Sequence, residues 1–459
     1  AMFRSFFPVP KLFFSSLLGL MILAIIGWST LGPTLQPYLS LDRFILPPPC
    51  APTEAVAPPG VGDTAQAVPG AELTEPDLPD SSITQPDAPS ATEARCLPEG
   101  SFLTAERVWF YQYLLILAVA FCVFWYRYKR NEWYWWSVVS TVAIMLLTYF
   151  NVQVDAFINN WQGRFFNTMQ QALTEPGSVT PEVFYGQIAE AFVVLMPRIV
   201  VAVIVAFYTA HYVFRWRKAM NSYYMAWWPS IRSTEGAAQR VQEDTMRFAS
   251  ITEDLGVAFL DSLITLVVFI PLLWTLSQNV TSLPLIGDVP GSLVWVALLS
   301  AAFGTVLLAI VGIKLPGLNF ENQKVEAAYR KELVYGEDHE EYAQPATWRE
   351  LFANVQKNYF RLYWHYTYFN LARYGYLNLA GYIPLLALSP SILAGALTLG
   401  LYQQVQQAFG QVSSSFQFLA RAWSTVIELL SVHKRLMHFE SHIPRDQEPI
   451  KESVSQYAD

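Results

Sequence analysis

The residues best suited to chemistry in this chain are carboxylates placed where carboxylates are expensive. Glu243, Asp254 and Asp261 are 11 and 7 residues apart. On one helix at about 100° per residue, both separations fall within about 20° of whole turns, so the three acids share a face. That face runs from a polar stretch into an apolar run at 255–278, where an ionised group must meet water or a partner. Glu326 and Glu337 repeat the 11-residue spacing on a second polar segment, which also carries Glu332, and Glu235 heads the first segment. Such a ladder, lining an aqueous cavity, would take up and release protons, because burial and mutual repulsion favour the neutral acid. It would also draw in cationic cargo. The competing reading is a solvated helix face held by i,i+4 pairs such as Glu243–Arg247 and Glu326–Arg330. For Glu332 and Glu337 the two readings weigh equally. Arg421 and Glu428, seven apart, share a face of the last helix, and Arg198 stands beside Pro197 within an apolar run.

Other chemistries are missing their signatures. There is no G-x-x-x-x-G-K-[ST] loop for ATP phosphates, no G-x-S-x-G, no H-E-x-x-H and no paired C-x-x-C. The six His are scattered. The expectation is a protein that is not an enzyme, without cofactor or metal. Nucleic acid is not an expected partner, because the basic clusters flank apolar runs instead of forming a patch with aromatics over it.

The elements that must hold these acids are membrane spans. Hydrophobic residues make up 53% of the 459 and charged ones 14%, against about 25% charged in soluble domains. Eight apolar runs stand out, near 12–32, 108–126, 134–154, 188–213, 255–278, 291–313, 366–388 and 391–415, the last continuing as helix to about Leu436. The first, at 21 residues, spans a roughly 30 Å hydrocarbon core and exceeds a signal-peptide core, so it reads as a retained span. With the N-terminus inside, 22 of the 29 basic residues fall on the inner side and 4 outside. This bias places both termini in the cytoplasm. The polar segments 214–254 and 314–365 read as helices running on from the spans. The region from Pro47 to Glu99 carries nine acids and, between Pro47 and Pro98, 12 Pro and no aromatic. It cannot bury enough apolar surface to order itself and is expected to be disordered. Cys50 and Cys96 bracket it; outside the cytoplasm a disulfide between them would tether the loop, the alternative being two free thiols.

The stretch from His211 to Arg217 (HYVFRWR), Glu235–Phe248 (EGAAQRVQEDTMRF), Gly312–Gly317 (GIKLPG) and Val325–Asp338 (VEAAYRKELVYGED) together resemble the SbmA/BacA family of bacterial inner-membrane peptide transporters. Phe3–Pro8 and Lys357–Tyr363 are similar to the family too. The resemblance covers nearly the whole chain outside 47–100, where the acidic loop departs from a short connection. It implies an all-α, ABC-exporter-like membrane fold of about eight transmembrane helices with long cytoplasmic extensions, no nucleotide-binding domain, and a homodimer around a central cavity. It further implies inward transport of peptides, antimicrobial peptides among them, driven by protons, with Glu243 and Glu326 as the first candidate carriers. Glu235, Glu332 and Glu337 come second, while Asp254 and Asp261 rest on the helical-face argument alone. The expected organisation is a cytoplasmic N-terminus and first span at 1–32, a periplasmic loop at 33–106, a transporter core at 107–436 and a cytoplasmic tail at 437–459. Two rivals remain: the membrane half of an ABC transporter docking a separate ATPase through 214–250 and 314–350, and a structural or regulatory membrane protein.

Overall fold

The computed structural model describes residues 2–41, 44, 104–234, 236–280, 283–284, 287, 289–338 and 345–443. Among them all regular secondary structure is helical, apart from an isolated bridge between Leu283 and Gly287. The principal helices are α1 (Pro10–Leu39), α2 (Ala105–Tyr128), α3 (Ser140–Thr174), α4 (Pro181–Ala226), α5 (Thr245–Ser277), α6 (Ser292–Gly312), α7 (Leu315–Asp338), α8 (Pro345–Ala380), α9 (Ile383–Leu393), α10 (Leu399–Phe416) and α11 (Phe418–Glu440). π-turns at Trp135–Val139 and Arg240–Asp244 lead into α3 and α5. Several starts follow from proline chemistry: Pro181, Pro345 and Pro384 sit in first turns, where a missing N–H costs nothing.

Among the described residues, seven helical stretches are long and apolar enough to cross a membrane: Pro10–Leu39, Ala105–Tyr128, Trp135–Thr174, Pro181–Ala226, Ala237–Ser277, Ser292–Gly312 and Pro345–Leu393. At 1.5 Å per residue, the 46 residues of α4 reach roughly 70 Å, more than twice the hydrocarbon thickness. Such helices project well past the bilayer. The protein is thus an all-α membrane protein with long helical extensions.

The eighth run, read from sequence as 391–415, is divided. Its first residues close α9; a turn through Gly395 follows, and Thr398 caps α10 by accepting a hydrogen bond from the Leu401 N–H (3.2 Å). α10 carries Gln403, Gln404, Gln406, Gln407 and Gln411, each half-buried. It lacks the apolarity of the other seven because it packs between α3, α5 and α6.

The chain divides into two compact units, residues 17–120 and residues 1–16 with 121–459. In the smaller unit α1 and α2 are tied by Trp109 Nε1 donating to the Gly32 carbonyl (2.8 Å) and Gln112 Nε2 to that of Leu39 (2.8 Å). In the larger unit the N-terminal Phe3, Phe6 and Phe7 wedge against Trp216, with Tyr212 and Phe248 beside them. Met2 N–H and the Tyr224 hydroxyl both donate to Glu440 Oε1 (3.0 and 2.8 Å).

α3 and α10 cross closely at Gly163 and Gly400. A Cβ on Gly400 would stand 2.0 Å from the Gly163 carbonyl oxygen, and one on Gly163 would strike the Gln404 amide. Around the crossing, Asn167 Oδ1 and Gln170 Oε1 accept from the Gly400 and Leu399 N–H groups, and Asn159 Nδ2 donates to the Gln404 carbonyl (2.8 Å). Gly400→Val is therefore expected to destabilise the protein by about 1–3 kcal/mol through overpacking. Gly186→Ala, at a helical position with open space around it, is expected to keep or slightly raise the melting temperature in detergent, since Ala favours a helix over Gly; thermal unfolding of both variants checks this.

Candidate functional site

At the end of the bundle opposite the 175–180 turn, two charge systems tie α5 to α11. Asp244, 2% exposed at its side chain, receives Arg435 Nε and Nη2 (3.0 and 2.7 Å) and Arg240 Nη1 (3.3 Å). Its hydrogen bonds and charge push the Arg435 guanidinium further towards its protonated form. The next acid along, Glu243, is half-exposed. Arg247 Nη2 binds it at 3.1 Å, Gln239 Nε2 donates to it at 3.1 Å, and Arg247 Nη1 reaches Glu428 on α11 at 3.4 Å. Both acids lie in the π-turn that opens α5, a distortion frequent at functional sites. The i,i+4 pair Glu243–Arg247 named as the competing reading is present, and it extends to a second carboxylate.

Further along α5, Asp254 is exposed and accepts from Ser250 Oγ (3.4 Å). Its neighbour Glu253 is the anomaly. It is 8% exposed and makes no ion pair or hydrogen bond among the described residues, and Asp254 is the one charged group acting on it. A carboxyl group buried without a cation is stable as the neutral acid and costly as the anion. Sequence reasoning chose Asp254 and passed over Glu253, because the helical-face rule favoured the exposed side.

Deeper still, Arg198 on α4 donates to Asp155 on α3 at 2.5 Å. Asp261, exposed, lies within electrostatic reach of that pair and of Arg421, which donates to the Ser414 carbonyl at the end of α10 (2.7 Å). Asp155, Arg198 and Asp261 lie 19, 17 and 16 residues from the nearby helix ends at Thr174, Pro181 and Ser277. That places all three about 24–29 Å from those ends, in one layer. Asp155 was not singled out from sequence, although its distance from the α3–α4 turn nearly mirrors that of Arg198 and signals the pair.

The α7 acids stand apart. Glu326 and Glu332 are half-buried and Glu337 is exposed, and none makes an ion pair among the described residues, so the Glu326–Arg330 pair is not formed. α7 packs chiefly along α8, through contacts such as Asn319 Nδ2 to Tyr366 Oη (3.0 Å) and Tyr329 against Phe352. Glu235, Cys50, Cys96 and the acidic loop lie outside the described residues.

Removing one partner from a buried ion pair leaves the other uncompensated, at about 3–5 kcal/mol. Asp244→Asn is therefore expected to lower thermal stability severely. Glu428→Gln, at an exposed pair worth about 0–1 kcal/mol, is expected to change it little. Parallel melts of the two variants in detergent check the contrast.

A family model described as the SbmA/BacA-like family matches residues 130–444. Among curated proteins, the chain is 25% identical over 355 residues to the inner membrane ABC transporter ATP-binding protein YddA of Escherichia coli (strain K12), covering 73% of this chain and 62% of that one. It is 27% identical over 240 residues to the uncharacterized ABC transporter ATP-binding protein sll0182 of Synechocystis sp. (strain ATCC 27184 / PCC 6803 / Kazusa), covering 50% of this chain and 34% of that one. A third relative, an uncharacterized ABC transporter ATP-binding protein of Haemophilus influenzae (strain ATCC 51907 / DSM 11121 / KW20 / Rd), is 19% identical over 299 residues, 61% of this chain and 50% of that one. The chain thus spans between about a third and two thirds of the length of these relatives.

Proposed function

The chain belongs to the SbmA/BacA-like family of membrane transport proteins, and from that premise we propose that it imports peptides across the bacterial inner membrane, driven by protons moving down their gradient. The observation that carries the reading is the pairing of unlike carboxylates on one helix. Glu243 is solvated and held by Arg247, whereas Glu253, ten residues on, is buried with no cation paired to it among the described residues. Acids in such different environments release their protons at different stages of a cycle. Protonation from the outer, more acidic side would neutralise the cavity carboxylates and let the bundle change state; loss of those protons inside would reset it. Asp254 and Asp261 extend the same line of acids along α5. The 22-to-4 distribution of basic residues supports both termini being cytoplasmic.

A homodimer is part of the proposal. Phe352, Phe360, Trp364 and Leu371 on α8 are all exposed in a single copy. A patch of this kind suits lipid over part of its length and a second copy over the rest. Pairing there would give Glu326, Glu332 and Glu337 of α7 a place in a shared chamber, with Glu235 as a further candidate for its wall. Phe360→Glu combined with Trp364→Glu is expected to convert dimers to monomers, which light scattering in detergent measures.

The proton step is tested in sealed vesicles loaded with purified protein and given a pH gradient without ATP. Uptake of a labelled Pro-rich cationic peptide is expected. Glu253→Gln and Glu243→Gln are each expected to lower it about tenfold or more, equivalent to about 1.4 kcal/mol, with melting temperature preserved. Full uptake by both variants would remove the proton role from α5. The names of the relatives favour a second reading, a membrane half served by an ATPase. In that case the pH gradient alone fails, and uptake needs ATP and a partner, since the sequence itself carries no phosphate-binding loop.

A further inference from the structure

A cavity of about 590 Å³ opens between the α4–α5 connection and the last turn of α11, at the end we place in the cytoplasm. Its walls carry Ser233, Thr234, Arg240, His438, Phe439 and His442. No carboxylate is among the described residues that line it. The donors here are largely unspent. Among the described residues Arg240 gives Nη1 to Asp244, and Nη2 lies near Gly236 without a hydrogen bond. His442 uses Nδ1 on the His438 carbonyl, and its Nε2 makes no hydrogen bond among the described residues. The Ser233 and Thr234 hydroxyls and the His438 ring make no hydrogen bond among the described residues. The imidazoles of His438 and His442 meet edge to face with centroids 4.9 Å apart, and Phe439 is fully buried behind them.

From this convergence we infer that the cavity is a binding site for an organic phosphate of about mononucleotide size. A guanidinium, two imidazoles and two hydroxyls present more donors than a single carboxylate can use and match the three terminal oxygens of a phosphate. The volume falls within the roughly 300–1,000 Å³ typical of small-molecule sites and exceeds what a bare inorganic ion fills. The flat ring walls suit the remaining, planar part of such a ligand. Bound charge would also sit one residue's reach from the Asp244–Arg435 tie, through Arg240, so occupancy would bear on how firmly α5 is held to α11.

The test is calorimetric titration of the full chain in detergent with AMP, ATP and inorganic phosphate. Saturable binding of AMP or ATP is expected, tighter than that of inorganic phosphate. His438→Gln with His442→Gln, both exposed positions, is expected to weaken it about tenfold or more without changing the melting temperature. Absence of saturable binding, affinity no better than that of inorganic phosphate, or equal affinity in the double variant overturns the assignment. Neither histidine has a part in proton coupling, so vesicle uptake by the same variant reports on transport separately.

Discussion

A helix studded with amides stands in the middle of an apolar bundle, and contacts with α3 fix it there. Gln170 and Asn167 accept from the Leu399 and Gly400 N–H groups and Asn159 donates to the Gln404 carbonyl, while Gln406 Oε1 and Gln407 Oε1 stay buried without a partner among the described residues. Side chains can reach backbone in this way only if the helices nearly touch, and Gly163 and Gly400 permit it. In a bilayer, where lipid offers no competing hydrophobic drive between helices, close packing at small residues and interhelical hydrogen bonds are what hold a bundle. Once α10 is fixed, α3 and α5 are fixed against it, and with them the depth and facing of Asp155, Glu253 and Asp261.

The charged residues fall into two groups with different physical roles. Asp244 is enclosed and receives three donor nitrogens from two arginines, a geometry that secures α5 against α11. The Glu243–Arg247–Glu428 chain is half-exposed and contributes little to stability, yet it leaves one arginine shared between two carboxylates. Neutralising either acid frees the cation for the other, which makes the arrangement responsive to protonation in a way a sealed pair is not. Glu253 completes the contrast as a buried acid with no ion pair among the described residues. Under the proposed proton coupling, stability and proton exchange would fall to different positions of one helix, separated by what each side chain faces.

Much of the fold was legible in the chain. Runs of apolar residues about 20 long can satisfy their backbone in lipid only as helices, so the spans and the all-α class follow from local composition. The acids on the exposed side of α5 follow from the 100° step of a helix, and the family motifs from their own residues. The eighth span was harder, because hydropathy averages over all faces of a helix, whereas α10 tolerates its glutamines through what surrounds it.

What sequence alone determined, then, was the set of helices, their apolarity and the acid-bearing face of α5, because each depends only on residues near one another along the chain. The tertiary structure decided which acids have cations. Arg435 finds Asp244, 191 residues away, and not Glu243, Asp155 takes Arg198, and Glu253 is left enclosed without a partner among the described residues while adjacent Asp254 stays in the open. A one-residue step along a helix turns a side chain by about 100°, and only the packing of α4, α10 and α11 around α5 decides what each direction meets.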